Sequence, residues 1–294
     1  MNSEIKVIKS DGSKVNIDLD KIHKMVEKSC RKITGVSESL VEMNSGLQFY
    51  DGITTQEIQK ILVKSASDLI SLESPNYQFV AARLLLFAVQ KQVFNTKWKD
   101  AEIYPPLRDI VERNVNAGLY TEDLLSDYTE EEYTKLNSYL RHSRDYEFTY
   151  AGLQQVVDKY LIQDRSTGTL FETPQFMYML IAMTLFRNYD KDNRLTYIKK
   201  YYDATSQFKI NIPTPIMAGV RTPLKQFASC VLVDSDDTLD SLFSSDMAIG
   251  RYVAQRAGIG INAGRVRGLG AKIRGGEVQH TGVIPFLKKF ESTV

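Results

Sequence analysis

Two cysteines, Cys30 and Cys230, are the thiols of this 294-residue chain, and their positions limit the thiol chemistry that the chain can perform. They form no CxxC motif, which excludes a zinc or redox pair of that type within the sequence. Any cysteine chemistry must therefore use one thiol. Cys230 lies in the apolar segment FASCVLV and Cys30 near the end of the first predicted helix. On the residues alone, a buried structural role is the ordinary interpretation of both.

A turn with lysines on either side could bind phosphate. Lys9, Asp11, Gly12 and Lys21 surround the turn and the start of the first helix. Backbone N–H groups of turns and of helix N-termini suit anions. A solvated hairpin with ordinary lysines fits the same residues, so both interpretations stay open.

The segment GIGINAG, residues 258–264, is rich in glycine but lacks the pattern of a dinucleotide-binding loop. Its third glycine is misplaced and it follows a predicted helix, whereas the dinucleotide pattern follows a strand. Arg256, Arg265, Arg267 and Arg274 accompany it. Their guanidinium groups suit phosphate oxygens. A solvated basic edge explains them equally well.

Composition and charge exclude several classes of protein. With 43% hydrophobic and 25% charged residues the chain has a globular composition. A net charge of +1 gives no overall basic field for nucleic acid. No apolar stretch approaches the ~20 residues of a membrane span, and the N-terminus lacks a signal pattern, so we expect a cytoplasmic protein. His23, His142 and His280 are too scattered for a metal site, and none is predicted.

Local patterns predict the elements of the first two thirds of the chain. Asp11-Gly12 between alternating segments predicts a hairpin, followed by a helix after Asp20. Thr54 to Glu57 reads as a capping box, and Pro75 is predicted to begin another helix. The first ~95 residues should form a hairpin on a small helical bundle, with a helical region continuing to about Phe208.

The last third of the chain has the sequence pattern of a parallel sheet. Residues 212–223 are predicted to be extended, FASCVLV and GIGINAG to be strands, and residues 241–257 to form the helix between them. Strand, helix and strand form the βαβ unit of a parallel sheet. Pro285 begins a last helix that reaches Val294 without a C-cap. We therefore expect an incomplete part of a larger α/β fold.

Four segments, taken in order, closely resemble the large subunit of class Ia (aerobic) ribonucleotide reductases: VIKSDGSKVNIDLDKIHK, FYDGITTQEI, NIPTPIMAGVRTPLKQFASCVLV and YVAQRAGIGINAGRVRGLGAKIRGGEVQHTG. The resemblance covers the whole chain. It implies an α+β fold followed by α/β: an ATP-cone regulatory domain over 1–95, a helical region over 96–220, and over 221–294 the start of a ten-stranded α/β barrel that is incomplete in this chain.

The resemblance also implies roles for individual residues. An allosteric activity site that reads ATP against dATP is implied at Val7, Lys9, Asp11, Gly12, Lys21, Thr55, Phe87 and Lys91. A specificity site for deoxynucleoside triphosphates is implied at Asp237, Thr238, Leu239, Arg267, Ile273 and Arg274. Substrate binding is implied at Thr214, Ser229, Ala257 and Gly258. The resemblance implies that Cys230 is a reducing thiol that forms a disulfide with a second cysteine outside this sequence. Cys30 is still interpreted as a buried structural cysteine.

The implied function is the reduction of ribonucleoside diphosphates to deoxyribonucleoside diphosphates by thiyl-radical chemistry. The family works with a small radical-generating subunit that holds iron or manganese, with thioredoxin or glutaredoxin, and as a large-subunit dimer. The radical-forming cysteine, the radical-transfer tyrosines and the C-terminal thiols are expected outside this sequence. The chain alone should be inactive and should need a complementary C-terminal polypeptide, whether it is a truncated piece or the product of a split gene.

Two other functions compete with this one. ATP-cones occur in a zinc-ribbon transcriptional repressor, a nucleotide sensor without catalysis, but its zinc site needs paired CxxC motifs that this sequence lacks. The anaerobic, glycyl-radical reductase also carries an ATP-cone. The segments FASCVLV and RAGIGINAGR favour the aerobic enzyme.

Ser10 and Gln59 depart from a bacterial version of the ATP-cone, which has Arg and His at these positions. Both differences remove possible positive charge toward phosphate. We therefore predict an enzyme that dATP inhibits only weakly.

Overall fold

Two units, Met1–Asn211 and Ile212–Val294, divide the chain in the computed structural model, which describes residues 5–94 and 103–294. Within the described ranges, no helix has the length and apolar character needed to cross a bilayer.

A three-stranded sheet begins the first unit, in the order β2-β1-β3. Its strands are β1 (Lys6–Ile8), β2 (Lys14–Asn16) and β3 (Ile53–Thr54). The predicted hairpin is confirmed: β1 and β2 are antiparallel, and the Gly12 N–H donates to the Lys9 carbonyl at 2.9 Å. Gly12 has a φ of +81°, a conformation that glycine adopts without strain. The sequence did not predict β3, which pairs with β1 in parallel and sets Val7 opposite Ile53.

Four helices pack on this sheet: α1 (Leu19–Cys30), α2 (Glu38–Gly46), α3 (Thr55–Asp68) and α4 (Tyr77–Phe94). The predicted capping box is confirmed, since the Glu57 N–H donates to Thr54 Oγ1 at 3.1 Å and the Thr54 N–H donates to Glu57 Oε2 at 2.9 Å. Helix α4 begins two residues after the predicted Pro75, because that proline forms the turn that leads into it. Val7, Ile53 and Phe87 belong to the common core.

The predicted helical middle is largely confirmed. It comprises α5 (Leu107–Asn116), α6 (Asp123–Ser126), α7 (Glu130–Tyr139), a 3₁₀ helix (His142–Glu147), α8 (Tyr150–Lys159), α9 (Pro174–Phe186) and α10 (Arg194–Ser206). A short hairpin that the sequence did not predict, β4 (Gln163–Asp164) with β5 (Thr169–Leu170), interrupts it. Asp145 lies buried in the 3₁₀ helix, where its Oδ1 accepts a hydrogen bond from Gln175 Nε2 at 2.8 Å.

The second unit opens with a helix where the sequence predicted extended chain. Helix α11 (Thr214–Gly219) follows Pro213 and carries Pro215 in its first turn. Proline is tolerated there because the first N–H groups of a helix have no intrahelical partner. The prediction over 212–223 was wrong in this part, since prolines at a helix start resemble prolines in extended chain.

The predicted βαβ unit is confirmed. Strands β6 (Cys230–Asp234) and β7 (Gly258–Asn262) run parallel, joined by α12 (Leu239–Ala254). A small hairpin, β8 (Lys272–Ile273) with β9 (Val278–Gln279), and helix α13 (Ile284–Thr293) follow, with Pro285 in the first turn of α13 as predicted. Within the described residues the two parallel strands close no barrel.

Burial of β6 differs from the sequence prediction. The apolar run predicts a strand covered on both faces, yet Cys230, Leu232 and Asp234 are exposed, and Leu232 is 87% exposed. Val233 packs instead into a core with α12 and α13. The helices cover one face of β6 only, and Cys230 lies on the other, exposed face. The interpretation of Cys230 as a buried core cysteine was therefore wrong. Cys30 is buried as predicted.

Candidate nucleotide and thiol sites

The parallel pair β1 and β3 ends at a polar edge. Lys9 follows Ile8 and Thr55 follows Thr54, and Ile8 and Thr54 are partners in the sheet. Both residues therefore lie at the carboxyl ends of parallel strands, where ligands of α/β proteins bind. Thr55 is also the first residue of α3, so its helix N-terminus presents free N–H groups to the same edge. Such an end suits phosphate.

Two lysines from different helices lie close together in the first unit. Lys21 belongs to the first turn of α1 and Lys91 to the last turn of α4. Desolvation lowers the pKa of Lys91, and the nearby charge of Lys21 lowers it further. Two ammonium groups that repel each other are a natural anion site, because a phosphate would relieve that repulsion. Phe87, one turn before Lys91, is buried and its ring lies 5.8 Å from Lys28 Nζ.

Two further residues of the predicted activity site, Asp11 and Val7, and the departing residue Gln59 are engaged within the first unit. Asp11 accepts hydrogen bonds from the Ser13 hydroxyl at 2.6 Å and the Ser13 N–H at 2.9 Å, and these bonds lower its pKa. Asp11 thus shapes the turn that holds Gly12. Val7 is buried in the core. Gln59 donates to the Leu84 carbonyl at 2.7 Å, so its amide is already engaged.

The parallel pair of the second unit ends at another polar edge. Asn262 Nδ2 donates to Asp234 Oδ1 at 2.9 Å, and Arg265 pairs with Asp234 at 3.2 Å. Arg267 binds Asp237 twice, through its backbone N–H at 3.0 Å and its Nε at 2.6 Å. The Arg267 backbone bond is the main cause of the lowered pKa of Asp237. Two of the four arginines in this stretch are therefore partnered by aspartates, which a solvated basic edge does not predict.

The structure brings part of the predicted specificity site together. Thr238 caps α12, its Oγ1 accepting from the Ser241 N–H at 3.1 Å, and Leu239 begins that helix beside Asp237. Ile273 ends β8 and Arg274 follows it with a φ of +51°. The hydrogen bonds of the Asp237 and Arg267 pair do not include Ile273 or Arg274.

Cys230 lies at the opposite, amino-terminal end of β6, facing Gly258 across the pair. The Gly258 N–H donates to the Ser229 carbonyl at 2.8 Å. A Cβ at Gly258 would lie 3.4 Å from the Ser229 carbonyl oxygen and 3.9 Å from Cys230 Sγ. Ala257 precedes Gly258 and is buried. Three of the four predicted substrate residues, Ser229, Ala257 and Gly258, therefore lie at the same strand ends as the exposed thiol.

Thr214 and Cys30 stand outside this cluster. Thr214 is the first residue of α11, on a different element from Ser229 and Gly258. Burial raises the pKa of the Cys30 thiol to about 11, so at neutral pH it remains protonated. A buried, protonated thiol is unreactive.

Metal ligands do not cluster in the described parts of the chain, where no group of three or more His, Cys, Asp or Glu side chains could hold an ion. His142 stacks on Tyr104 with 3.7 Å between ring centroids, and burial lowers its pKa to about 4. His142 is therefore a neutral packing residue.

Sequence reasoning missed Asp234, Asn262 and His280 as members of the second polar edge. Asp234 and Asn262 are the last residues of β6 and β7, and the charge of His280 helps to lower the pKa of Asp237. The predicted βαβ unit could have found Asp234 and Asn262, because the carboxyl ends of its two strands must be neighbours. His280 lies beyond the β8–β9 hairpin, and no local pattern signals it.

Comparison with known proteins identifies the family of the chain. Three family models match in succession: the ATP cone domain over residues 5–92, the ribonucleotide reductase all-alpha domain over 146–225, and the ribonucleotide reductase barrel domain over 228–294. Ribonucleoside-diphosphate reductase 1 subunit alpha of Escherichia coli (strain K12) is 49% identical over 295 residues, covering all of this chain. The alpha subunits of Haemophilus influenzae and of Enterobacteria phage T4 are 48% and 45% identical, over 100% and 99% of the chain.

The chain spans 38% of the length of each of these three relatives. The all-alpha and barrel matches do not favour a repressor that carries an ATP-cone. The relatives are diphosphate reductases by name, which does not favour the anaerobic alternative. This chain belongs to the family of ribonucleoside-diphosphate reductase alpha subunits, and it corresponds to their N-terminal portion.

Proposed function

We propose that this chain takes part in the reduction of ribonucleoside diphosphates to deoxyribonucleoside diphosphates, as the nucleotide-binding and thiol-bearing portion of a large subunit. One observation carries the proposal. An exposed cysteine, Cys230, begins a parallel strand beside Gly258 within the region that matches the reductase barrel.

In this proposal Cys230 is a reductant. Its thiol supplies a hydrogen atom, which is one electron and one proton, and a second cysteine outside this sequence supplies the other electron and proton. The ribose hydroxyl leaves as water and the two sulfurs end as a disulfide. Ser229, Ala257 and Gly258, with the Thr214 hydroxyl, are proposed to line the substrate site. Gly258 lets that substrate approach the thiol, since it places no side chain beside Sγ.

The carboxyl edge of β1 and β3 is proposed to bind ATP and dATP. Lys9, Lys21 and Lys91 supply positive charge, Thr55 the helix N-terminus, Phe87 an apolar surface, and Val7, Asp11 and Gly12 the shape of the turn. Supporting this role, the ATP cone match covers this whole region. ATP then activates the enzyme and dATP inhibits it, which is an allosteric function in a domain without catalytic groups.

The second polar edge is proposed to bind the deoxynucleoside triphosphate that selects the substrate. Asp237, Thr238 and Leu239 form one side of the site, and Arg267, Ile273 and Arg274 the other. The Arg267 and Asp237 pair, with its 2.6 Å bond, holds the arginine in place before the effector binds. An effector phosphate would then share a guanidinium group that is already oriented.

The proposed enzyme needs other polypeptides. They are the remaining portion of the large subunit, a small subunit that generates the radical and holds iron or manganese, and thioredoxin or glutaredoxin. A dimer of large subunits fits an exposed apolar stripe on α12, formed by Leu239, Phe243 and Met247 at 67%, 58% and 55% exposure. Their spacing of four residues places them on one helix face.

Reconstitution tests the proposal directly. The 294-residue chain is mixed with the remaining large-subunit portion of a relative and its small subunit, and dCDP formation from CDP is measured. We expect no activity from the chain with the small subunit alone, and activity when all three are present. Cys230→Ser should abolish it, while Cys30→Ser, the matched control, should lower stability at most. Activity without the remaining portion, or equal loss in both folded variants, would contradict the proposal.

A further inference from the structure

A cavity of about 270 Å³ lies between α1, α4 and the 3₁₀ helix of the first unit. Lys28, Arg31, Lys32, Arg83 and Tyr146 line it, and we call it the basic cavity. Among the described residues that line it, four are cationic and none carries a carboxylate. A cluster of cations around one cavity favours the binding of an anion.

Arg83 is held in place without an acidic partner. Its Nη1 donates to the carbonyls of Ser29 at 3.2 Å and Arg31 at 2.6 Å, and its guanidinium lies 5.5 Å from the Tyr146 ring centroid. These contacts orient the group but leave its charge uncompensated. Burial lowers the pKa of Arg83, as expected of a cation partly withdrawn from water. Within the described ranges Nη2 makes no hydrogen bond, so it remains available to a ligand.

Lys32 occupies a strained position at this cavity. Its φ of 61° lies in the left-handed region, two residues after the end of α1. Glycine is the usual residue at such a helix end, because a side chain there costs free energy. The helix dipole explains a cation near this end, but it explains neither the retained strain at Lys32 nor Arg83, which comes from α4. Strain that persists at a lysine points to a use for its charge.

We propose that the basic cavity binds a compact anion that carries two or more phosphate groups. Its volume lies just below the roughly 300–1,000 Å³ of sites that enclose a whole drug-sized ligand. A phosphate chain therefore fits better than a complete nucleotide. Arg31 supplies a guanidinium fork that matches phosphate oxygens, Arg83 supplies its Nη2 group, and Lys28 and Lys32 supply ammonium charges. The anion could be inorganic or could be the phosphate tail of a nucleotide whose nucleoside stays outside.

Calorimetric titration with sodium tripolyphosphate tests the proposal on the 294-residue chain. Lys9→Gln/Lys91→Gln removes charge at the proposed ATP edge, and we expect tripolyphosphate to bind this variant still. Adding Arg31→Gln/Lys32→Gln should weaken that binding about tenfold or more, since charge-assisted contacts are lost. Lys135→Gln/Lys200→Gln, a matched change at exposed lysines, should leave it intact. Absence of binding, or equal weakening by the control, would overturn the proposal.

Titration with ATP in the same background identifies the source of the phosphate. Binding of ATP as tight as that of tripolyphosphate assigns the cavity to a nucleotide tail, and binding of tripolyphosphate alone assigns it to an inorganic anion. Lys32→Gly gives an independent readout. It should relieve backbone strain and raise the melting temperature of the free protein by about 2–4 °C, while it weakens tripolyphosphate binding. A variant that gains stability and keeps full affinity would remove Lys32 from the site.

Discussion

The two parallel strand pairs of this chain share parallel pairing but differ in their surroundings. In the first unit Val7 and Ile53 are both buried, at 4% and 0% exposure, beneath helices that complete a core. In the second unit β6 alternates between half-buried and exposed residues, and Leu232 is 87% exposed. Parallel pairing therefore gives a sheet buried in a core in the first unit, and a sheet with one exposed face in the second unit.

This difference matches the proposed division between a regulatory site and a catalytic thiol. A nucleotide edge built on a complete core can form and bind by itself, so the first unit is suited to an allosteric site. The exposed thiol of Cys230 lies on the open face of the second unit, and its proposed function requires strands that this sequence does not contain. We expect the two pairs to respond differently to substitution.

The largest difference is expected in stability. Ile53→Ala removes a fully buried side chain and should lower the free energy of unfolding by about 2–5 kcal/mol. Leu232→Ala changes an exposed side chain of the second pair and should change it by about 0.5 kcal/mol or less. Urea unfolding followed by circular dichroism measures both. Similar losses in the two variants would show that the open face of β6 is covered in solution.

A substitution at one polar edge should change effector affinity at that edge and leave the other unchanged. Arg267→Ala removes a charge-assisted contact of roughly 1.5–3 kcal/mol, so it should weaken the specificity effector about ten- to a hundred-fold. Binding of dATP at the first edge should not change. Equilibrium binding of dTTP and dATP to the assembled large subunit provides the measurement. An unchanged dTTP dissociation constant would exclude Arg267 from the site.

The pH dependence of stability should have opposite signs at two aspartates. Burial raises the pKa of Asp145 to about 7, so between pH 4 and 7 the unfolded chain releases a proton that the folded chain retains. The contribution of this group to the free energy of unfolding is thus lost as pH rises. Over that range the free energy of unfolding of Asp145→Asn should rise relative to that of the unaltered protein. Hydrogen bonds from Lys289 and then Thr293 lower the pKa of Asp246, whose contribution is instead lost as pH falls.

Asp246→Asn is the matched variant in the second unit. This variant should be less stable than the unaltered protein near neutral pH, and the difference in stability should shrink as the pH falls below about 4. Thermal unfolding across this pH range checks both variants. Parallel pH profiles would contradict the assignment of opposite shifts.

The smallest expected effect concerns dATP inhibition. Ser10→Arg with Gln59→His adds possible positive charge at the first edge, and one charge-assisted contact would strengthen dATP inhibition about tenfold. The unaltered assembled enzyme should be inhibited only weakly. Activity is titrated against dATP with the specificity effector saturating. Near-complete inhibition of the unaltered enzyme at micromolar dATP would refute the prediction.

Local signals in the sequence predicted the elements that depend on local chemistry. The Asp11-Gly12 turn, the capping box at Thr54 and the βαβ unit at 230–262 all form as expected. The resemblance of four segments supplied the family. Local patterns could not supply β3, which has two residues and pairs with a strand some 45 residues earlier.

The rest of the candidate sites depends on contacts that no local pattern encodes. Asp237 and Arg267 lie 30 residues apart and are joined through the fold. The apolar run around Cys230 indicates burial on both faces, but helices cover only one of them. Helix α11 follows prolines that are also typical of extended chain. Long-range packing decided each of these outcomes.

Hydrogen–deuterium exchange of the 294-residue chain with and without dATP tests the central claim most directly. If the first unit carries a complete nucleotide site, dATP should protect peptides that contain Val7–Gly12, Thr55–Gln59 and Phe87–Lys91. Lys9→Gln/Lys91→Gln should remove that protection. Unchanged exchange in all three peptides at saturating dATP would contradict the claim that the carboxyl edge of β1 and β3 is a nucleotide site.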